Sequence, residues 1–158
     1  NCFSFSTTPT YKGLQEATAN SITIQMDINE SSSIGDVENE IIRYNYDTVN
    51  QQITRESKRP PPGSCSPGGQ PLLGGSVGNQ KTVRVINATL GLPIFRYFNG
   101  SGTELLPGST LTAVTMPDIR RIDITLAVET EYVNPTTNQP SRIIYSSSVI
   151  VRNHAPAQ

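Results

Sequence analysis

The stretch RIDITLAVETEYV, residues 121–133, decides the fold class. From Ile122 onward alternate positions are apolar or aromatic: Ile122, Ile124, Leu126, Val128 and Tyr132, interrupted by Thr130. Asp123, Thr125, Ala127, Glu129 and Glu131 fall between them. A period of two sets one face of a strand on a core and the other in water. The run is about twice the usual strand length of about 5–6 residues. It places Ile122, Ile124, Leu126 and Val128 inside, and Asp123, Glu129 and Glu131 outside.

The composition around that strand is consistent with a β protein. The chain of 158 residues, 35% hydrophobic and 16% charged, fits one domain large enough to bury a core. Its 12 glycines and 12 prolines, with abundant Ser, Thr and Asn, suit strands joined by turns in a secreted or periplasmic protein. A net charge of −1 supplies no field for nucleic acid or anionic lipid. No apolar run approaches the roughly 18 residues of a membrane span. The chain opens on Asn1 rather than Met, so a preceding segment is expected.

Working outward, TTPTYKGLQEATANS (7–21) reads as a short helix over about 9–20. Thr8 is its N-cap, Pro9 its first residue, and Tyr11, Leu14 and Thr18 lie on one face. SITIQMDIN follows as a strand whose Ile22, Ile24, Met26 and Ile28 pack beneath the helix. EIIRYNYDTVNQQITRES (40–57) reads as a hairpin turning near Asp47–Asn50, with Ile42, Tyr44 and Tyr46 on one face. In residues 60–78 eleven of nineteen positions are Pro or Gly, which predicts a flexible loop over 57–80. Val83 and Val85, then Phe95 and Tyr97, mark two more strands before an Asn99–Gly100 turn. NPTTNQP turns the chain into a last strand carrying Ile143, Tyr145, Val149 and Val151 on one side. Residues 154–158 read as a loose tail. One helix followed by antiparallel strands gives an α+β, β-dominant class: a short N-terminal helix packed on antiparallel sheet or sheets, one domain over 1–158.

Motifs for chemistry are sparse. His154, the sole histidine, sits in the tail without the positioned partner a general base needs. GSVGNQKT (75–82) nearly matches a phosphate loop, but Gln80 replaces the second glycine and a strand follows where a helix must begin. Asp27, Asn29, Ser31 and Glu38 have calcium-loop spacing, but Ser32 stands where the sharp turn wants Gly, so a hydrogen-bonded polar turn is the default and calcium stays open. Glu129 and Glu131 share a strand face about 7 Å apart, a spacing open to a glycosidase pair but better explained as solvated surface. Two cysteines and one histidine cannot complete a zinc site. The sequons at Asn29, Asn87 and Asn99 matter only in a glycosylating host. No enzyme, cofactor, metal or small-molecule substrate is expected.

Five segments together resemble minor pilins of the PilW type and the J-type minor pseudopilins of type II secretion. ATANSITIQMDIN is similar to the junction where that family's helix runs into its first strand. EIIRYNYDTVNQQITRES resembles the following Tyr-x-Tyr-Asp hairpin, and LGLPIFRYFNGSGTEL the family's F-x-Y strand. DIRRIDITLAVETE and YSSSVIVRN are similar to its last two strands. The segments occur in family order over roughly 17–56 and 90–153. The resemblance implies a pilin-like head of a type IV pilus or secretion pseudopilus. Such a head is anchored through an N-terminal helix in the inner membrane before assembly, and is afterwards periplasmic or on the cell-surface filament. Its partners would be other minor subunits in a tip or initiation complex. That compartment is oxidising, which implies a Cys2–Cys65 disulfide. The alternative is an extracytoplasmic binding module, an adhesin or carbohydrate-binding β domain using the 57–80 segment.

Overall fold

A computed structural model describes residues 13–59, 64–65, 69–75, 83–105 and 116–151. Two antiparallel sheets share one core. The first contains β1 (Leu14–Ala17), β2 (Ser21–Gln25), β3 (Ile41–Asp47) and β4 (Gln52–Arg59) in that order, and both β5 (Ser64–Cys65) and β6 (Gln70–Gly74) pair with β4. The second contains β7 (Val83–Val85), β8 (Phe95–Phe98), β9 (Arg121–Asn134) and β10 (Gln139–Ile150). In it β9 is central, with β10 along one edge and β7 and then β8 along the other. One 3-10 turn at Met116–Asp118 is the only helix among the described residues.

The expected N-terminal helix packed on a sheet is therefore incorrect, and the described residues form a β-dominant fold of two antiparallel sheets. Residues 9–12 lie outside the described part, and 14–17 are a strand. Two features explain the misreading. Leu14 and Ala17 are both buried at a spacing of three, which imitates a helix face. In the ladder a bulge between Leu14 and Glu16 sets Leu14 opposite Ile24 and Ala17 opposite Ile22, so the extra residue turns a period of two into a step of three. Thr18 then reverses the chain, because its Oγ1 accepts the N–H groups of Asn20 (3.2 Å) and Ser21 (2.8 Å). This local bond competes with helix formation. Gly13, at φ +93°, is already outside helical space.

β2 also ends earlier than the alternation suggests. Ile22 is buried and Ile24 packs on the core, but Met26 and Ile28 lie beyond Gln25 and are exposed. The β3–β4 hairpin forms as read, with Tyr46 buried and Tyr44 against the core.

The 57–80 stretch is not simply a loop. Residues 64–65 and 70–74 return along β4, pairing Arg59 with Ser64 and Gln52 with Gly74. Pro71 is tolerated because this strand lies at a sheet edge. At Gly69 an added Cβ would meet the Thr54 Cβ at 2.5 Å. Glycine and proline here allow close approach at an edge instead of marking disorder.

β7 and β8 are two halves of one interrupted strand. Val85 is opposite Val128 and Phe95 is opposite Ile124, and Ile86 and Ile94 each keep one backbone bond, to Ala127 and Thr125, so residues 87–93 leave the ladder while β9 continues through Leu126. The fully buried side chain of Asn87 fills the gap. Its Oδ1 accepts Ala127 N–H at 2.8 Å and its Nδ2 donates to Thr125 O at 2.8 Å. An Asn amide has the donor and acceptor of a peptide, so it stands in for the missing strand backbone.

The core joins Leu14, Ile22, Tyr46 and Ile53 of the first sheet to Val85, Phe95, Tyr97 and Ile122 of the second, with Ile94, Met116 and Ile119 beside them. Each such side chain contributes about 1.5–3 kcal/mol by leaving water. Tyrosine hydroxyls pin the sheets together. Tyr46 Oη donates to Val85 O at 2.9 Å and accepts Ala88 N–H, and Tyr97 Oη donates to Thr18 O at 2.8 Å. Burial pushes the Tyr97 phenol well above its usual pKa.

Candidate interaction surface

The β9–β10 hairpin is the longest element of the molecule, and its surface is the most unusual part. Among the described residues β9 is braced on both sides only as far as Thr130, the last residue opposite β7. At that root Glu129 is directly opposite Arg84 on one side and Arg142 on the other. Its Oε1 accepts Arg84 Nη2 at 2.6 Å and its Oε2 accepts Arg142 Nε at 2.6 Å, leaving the carboxylate side chain 7% exposed. The hydrogen bond from Arg142, and secondarily the charge of Arg84, holds the Glu129 carboxyl below its usual range. The expected solvent-facing Glu129 is thus corrected, because cross-strand arginines cover it, while Glu131 is exposed as expected. This geometry removes Glu129 from any carboxylate pair for glycoside cleavage.

Beyond Thr130 the hairpin is a two-stranded arm. Asn134 closes it, accepting Asn138 N–H on its carbonyl at 2.7 Å and Thr136 N–H on its Oδ1 at 2.8 Å; Asn138 takes φ +52°. Tyr132 and Val133 are exposed near the tip.

β10 buries almost nothing. In the ladder Ile143, Tyr145, Ser147 and Val149 stand opposite Val128, Leu126, Ile124 and Ile122, so they continue the core-facing side of β9. Yet Ile143 is 65% exposed, Tyr145 61% and Val149 46%, and Ile144 and Ile150 on the other face are 60% and 72% exposed. Ile124, Leu126 and Val128 are themselves only partly covered. The first sheet therefore leaves an apolar strip of the second sheet uncovered among the described residues.

Among the described residues the outer edge of β10 is open as well. Thr125 N–H binds Ile94 O and Ala127 N–H binds Asn87 Oδ1, so odd-numbered β9 residues aim their backbone groups at β7 and β8. Even-numbered ones face β10, where they meet odd-numbered partners such as Ile143 and Tyr145. The N–H and C=O groups of Ile144, Ser146, Ser148 and Ile150 point away from β9, and no described strand lies beyond them. Sheets usually blunt such an edge with Lys, Pro or a bulge. Here the bulge lies between Pro140 and Arg142, and the nine residues from 142 to 150 carry one charge, Arg142, already paired to Glu129.

The calcium-like loop is organised from within. Asp27 accepts Ser31 N–H on Oδ1 at 3.1 Å and Ser32 N–H on Oδ2 at 2.8 Å. Asp36, not Glu38, joins Ser31, whose Oγ donates to it at 2.7 Å and lowers its pKa. Glu40, fully buried, organises the 35–37 segment through its carboxylate. Its Oε2 accepts the N–H groups of Gly35 (2.5 Å), Asp36 (3.0 Å) and Val37 (3.4 Å). Among the described residues no group of three or more His, Cys, Asp or Glu is arranged to hold a metal. Cys2, the Cys65 side chain, His154 and residues 76–82 lie outside the described part; Cys65 enters only as backbone of β5. The Asn87 sequon has its amide nitrogen committed inside the fold.

Sequence reasoning missed Asn87, Glu40 and the Arg84–Glu129–Arg142 clamp. Only the clamp left a readable signal, a basic residue on each of two alternating strands flanking an acidic one. No family model, curated protein or solved structure matches this chain. No helix among the described residues is long and apolar enough to cross a membrane.

Proposed function

We propose that the protein is a structural assembly subunit that works through protein–protein contacts, and more specifically a minor pilin or pseudopilin of a type IV pilus or type II secretion pseudopilus. It is not a catalyst in this reading. It would be held in the inner membrane before assembly and belong afterwards to a periplasmic or cell-surface filament, with other minor subunits as partners. The observation that carries the proposal is the uncovered apolar strip of the second sheet, Ile143, Tyr145 and Val149 beside Leu126 and Val128. Contiguous exposed apolar surface on a β head marks a contact site. The hairpin at 41–59, β8, β9 and β10 overlap the segments that resemble the family. The ATANSITIQMDIN segment does not support it, because a strand, a turn and a second strand occupy the place of the expected helix-to-strand junction.

The test is calorimetric titration of the protein against the minor subunits encoded beside it, with wild type and Tyr145→Glu compared. Binding by wild type and its loss in the variant is expected. Silence against every neighbour at tens of micromolar overturns the proposal. A full-length gene whose product carries a prepilin-peptidase site followed by about 20 apolar residues agrees with it, and a cleavable secretory leader favours the binding-module alternative.

A further inference from the structure

We infer that β10 is a homotypic pairing edge: two copies of this chain join antiparallel through it about a twofold axis at Ser146, making one continuous sheet. The inference deepens the assembly reading by naming one partner, but it rests on the edge itself and not on the filament role.

Three observations select a second copy. The first is the direction of the free groups. A twofold axis at Ser146 sets Arg142 opposite Ile150 of the second copy, Ile144 opposite Ser148, and Ser146 opposite itself. All of these are even-numbered residues, the set whose N–H and C=O groups point outward. Five such pairs exchange two hydrogen bonds each, about ten in all, and a typical stable interface carries about ten. The second is the side chains. The intervening pairs set Ile143 against Val149 and Tyr145 against Ser147 on the uncovered face. The apolar strips of the two copies then become one, and Ile143, Ile144, Tyr145 and Val149 each gain an apolar or small neighbour. The third is charge. Like charges opposed across an edge normally forbid self-pairing. In this register the sole charged residue of 142–150, Arg142, faces Ile150 and not a second arginine, and it is paired with Glu129. An isologous contact of this kind closes on itself and leaves no further β10 edge to propagate.

Ser146→Cys tests the register. At the axis the two Cα atoms stand about 5.5 Å apart, inside the disulfide range. Mild oxidation should give a dimer in which the tryptic peptide 143–152 is linked to itself. Ile144→Cys should not self-link, because its two copies lie about 14 Å apart by strand rise. Sedimentation velocity from micromolar to hundreds of micromolar should show a wild-type dimer that Ser146→Pro and Ser146→Lys abolish. Proline is tolerated where the N–H points off the sheet, so both variants keep the monomer fold. A wild type that stays monomeric overturns the inference, as does a dimer that survives both variants or equal self-linking at positions 144 and 146. A monomeric wild type that still binds neighbouring subunits defeats this inference alone and leaves the assembly proposal standing.

Discussion

Asn87→Ala is the substitution that most directly tests the interrupted-strand architecture. Asn87 is fully buried, and its amide stands in for one backbone acceptor and one backbone donor by bonding Ala127 N–H and Thr125 O, both at 2.8 Å. Truncation leaves that donor and that acceptor unpaired beside Ala127, itself fully buried. Each buried unpaired group costs about 1–3 kcal/mol, so the pair costs about 2–6 kcal/mol. Domains of this size have about 5–15 kcal/mol to lose. Equilibrium urea unfolding of wild type and variant reads the difference directly, and the melting temperature should fall by about 2–4 °C per kcal/mol. Asn87→Asp refines the test. At neutral pH its carboxylate keeps the Ala127 bond but opposes Thr125 O, and on acidification the protonated acid can donate to that carbonyl. The carboxyl pKa in the fold is then raised, so the variant recovers stability as pH falls through it. Thr89→Ala removes the same sequon at an exposed site and should change stability by less than about 0.5 kcal/mol. A loss below about 1 kcal/mol for Asn87→Ala refutes the role of the amide as a strand substitute.

Glu129→Gln should destabilise by about 1 kcal/mol at neutral pH, a charge-assisted bond discounted for the solvent exposure of Arg84 and Arg142. Because the folded carboxyl titrates below its unfolded value of about 4.3, that contribution is complete above about 4.3 and fades as pH falls through the folded pKa. Urea titrations across this range should show the gap closing in acid, and a constant gap counts against the clamp. Glu40→Ala should free the amides of Gly35, Asp36 and Val37, raising their hydrogen-exchange rates by more than about tenfold, or about 1.4 kcal/mol of local opening. Unchanged exchange at those amides refutes the carboxylate as the organiser of the loop. A Cys2–Cys65 bridge should leave no alkylatable thiol in the unreduced protein by intact mass, and its reduction should cost about 4 kcal/mol on the chain-entropy estimate. Two alkylated cysteines without reductant end that expectation.

The parts of this fold that were legible in the sequence are those where alternation runs unbroken against a single neighbour. The 41–59 hairpin and the β9–β10 pair both keep a period of two, and both form where expected. Reading failed at β1 and β6, each of which meets its neighbour with a register irregularity. The bulge in β1 turned two core positions into an apparent helix face. At β6 the Pro and Gly composition concealed an edge strand, because edge position and close packing on Thr54 select the same residues that loops do. Asn87 was invisible because its role depends on two strands separated by about forty residues of chain. The candidate surface was half legible. Ile143, Tyr145 and Val149 were assigned to one face correctly, but no local pattern shows that nothing in the described fold covers that face.

Two features leave surface of the second sheet open: β10 lies at its edge, with residues 143–150 beside β9 residues 121–128, and the hairpin outruns the facing sheet. β9 has 14 residues and β10 has 12, against 4 to 8 in the first four strands of the facing sheet. At about 3.3 Å per residue the long hairpin spans roughly 45 Å, while the seven residues of β3 span roughly 23 Å. The smaller sheet cannot cover the larger one, so additional length in the hairpin becomes exposed surface instead of core. A bare two-stranded ribbon is only marginally stable in water. Here the arm is fixed at its root by Glu129 between two arginines and at its tip by the Asn134 turn. Both fixings are polar and local, and neither uses the apolar side chains of residues 143–150, which lie on the other side of Arg142 opposite Arg121 to Val128. Folding therefore leaves Ile143, Ile144, Tyr145, Val149 and Ile150 available on a stiff strand whose outward hydrogen-bonding groups are unpaired among the described residues. A preorganised edge of that kind loses little conformational entropy when it pairs, which favours association over further folding as the use of this surface.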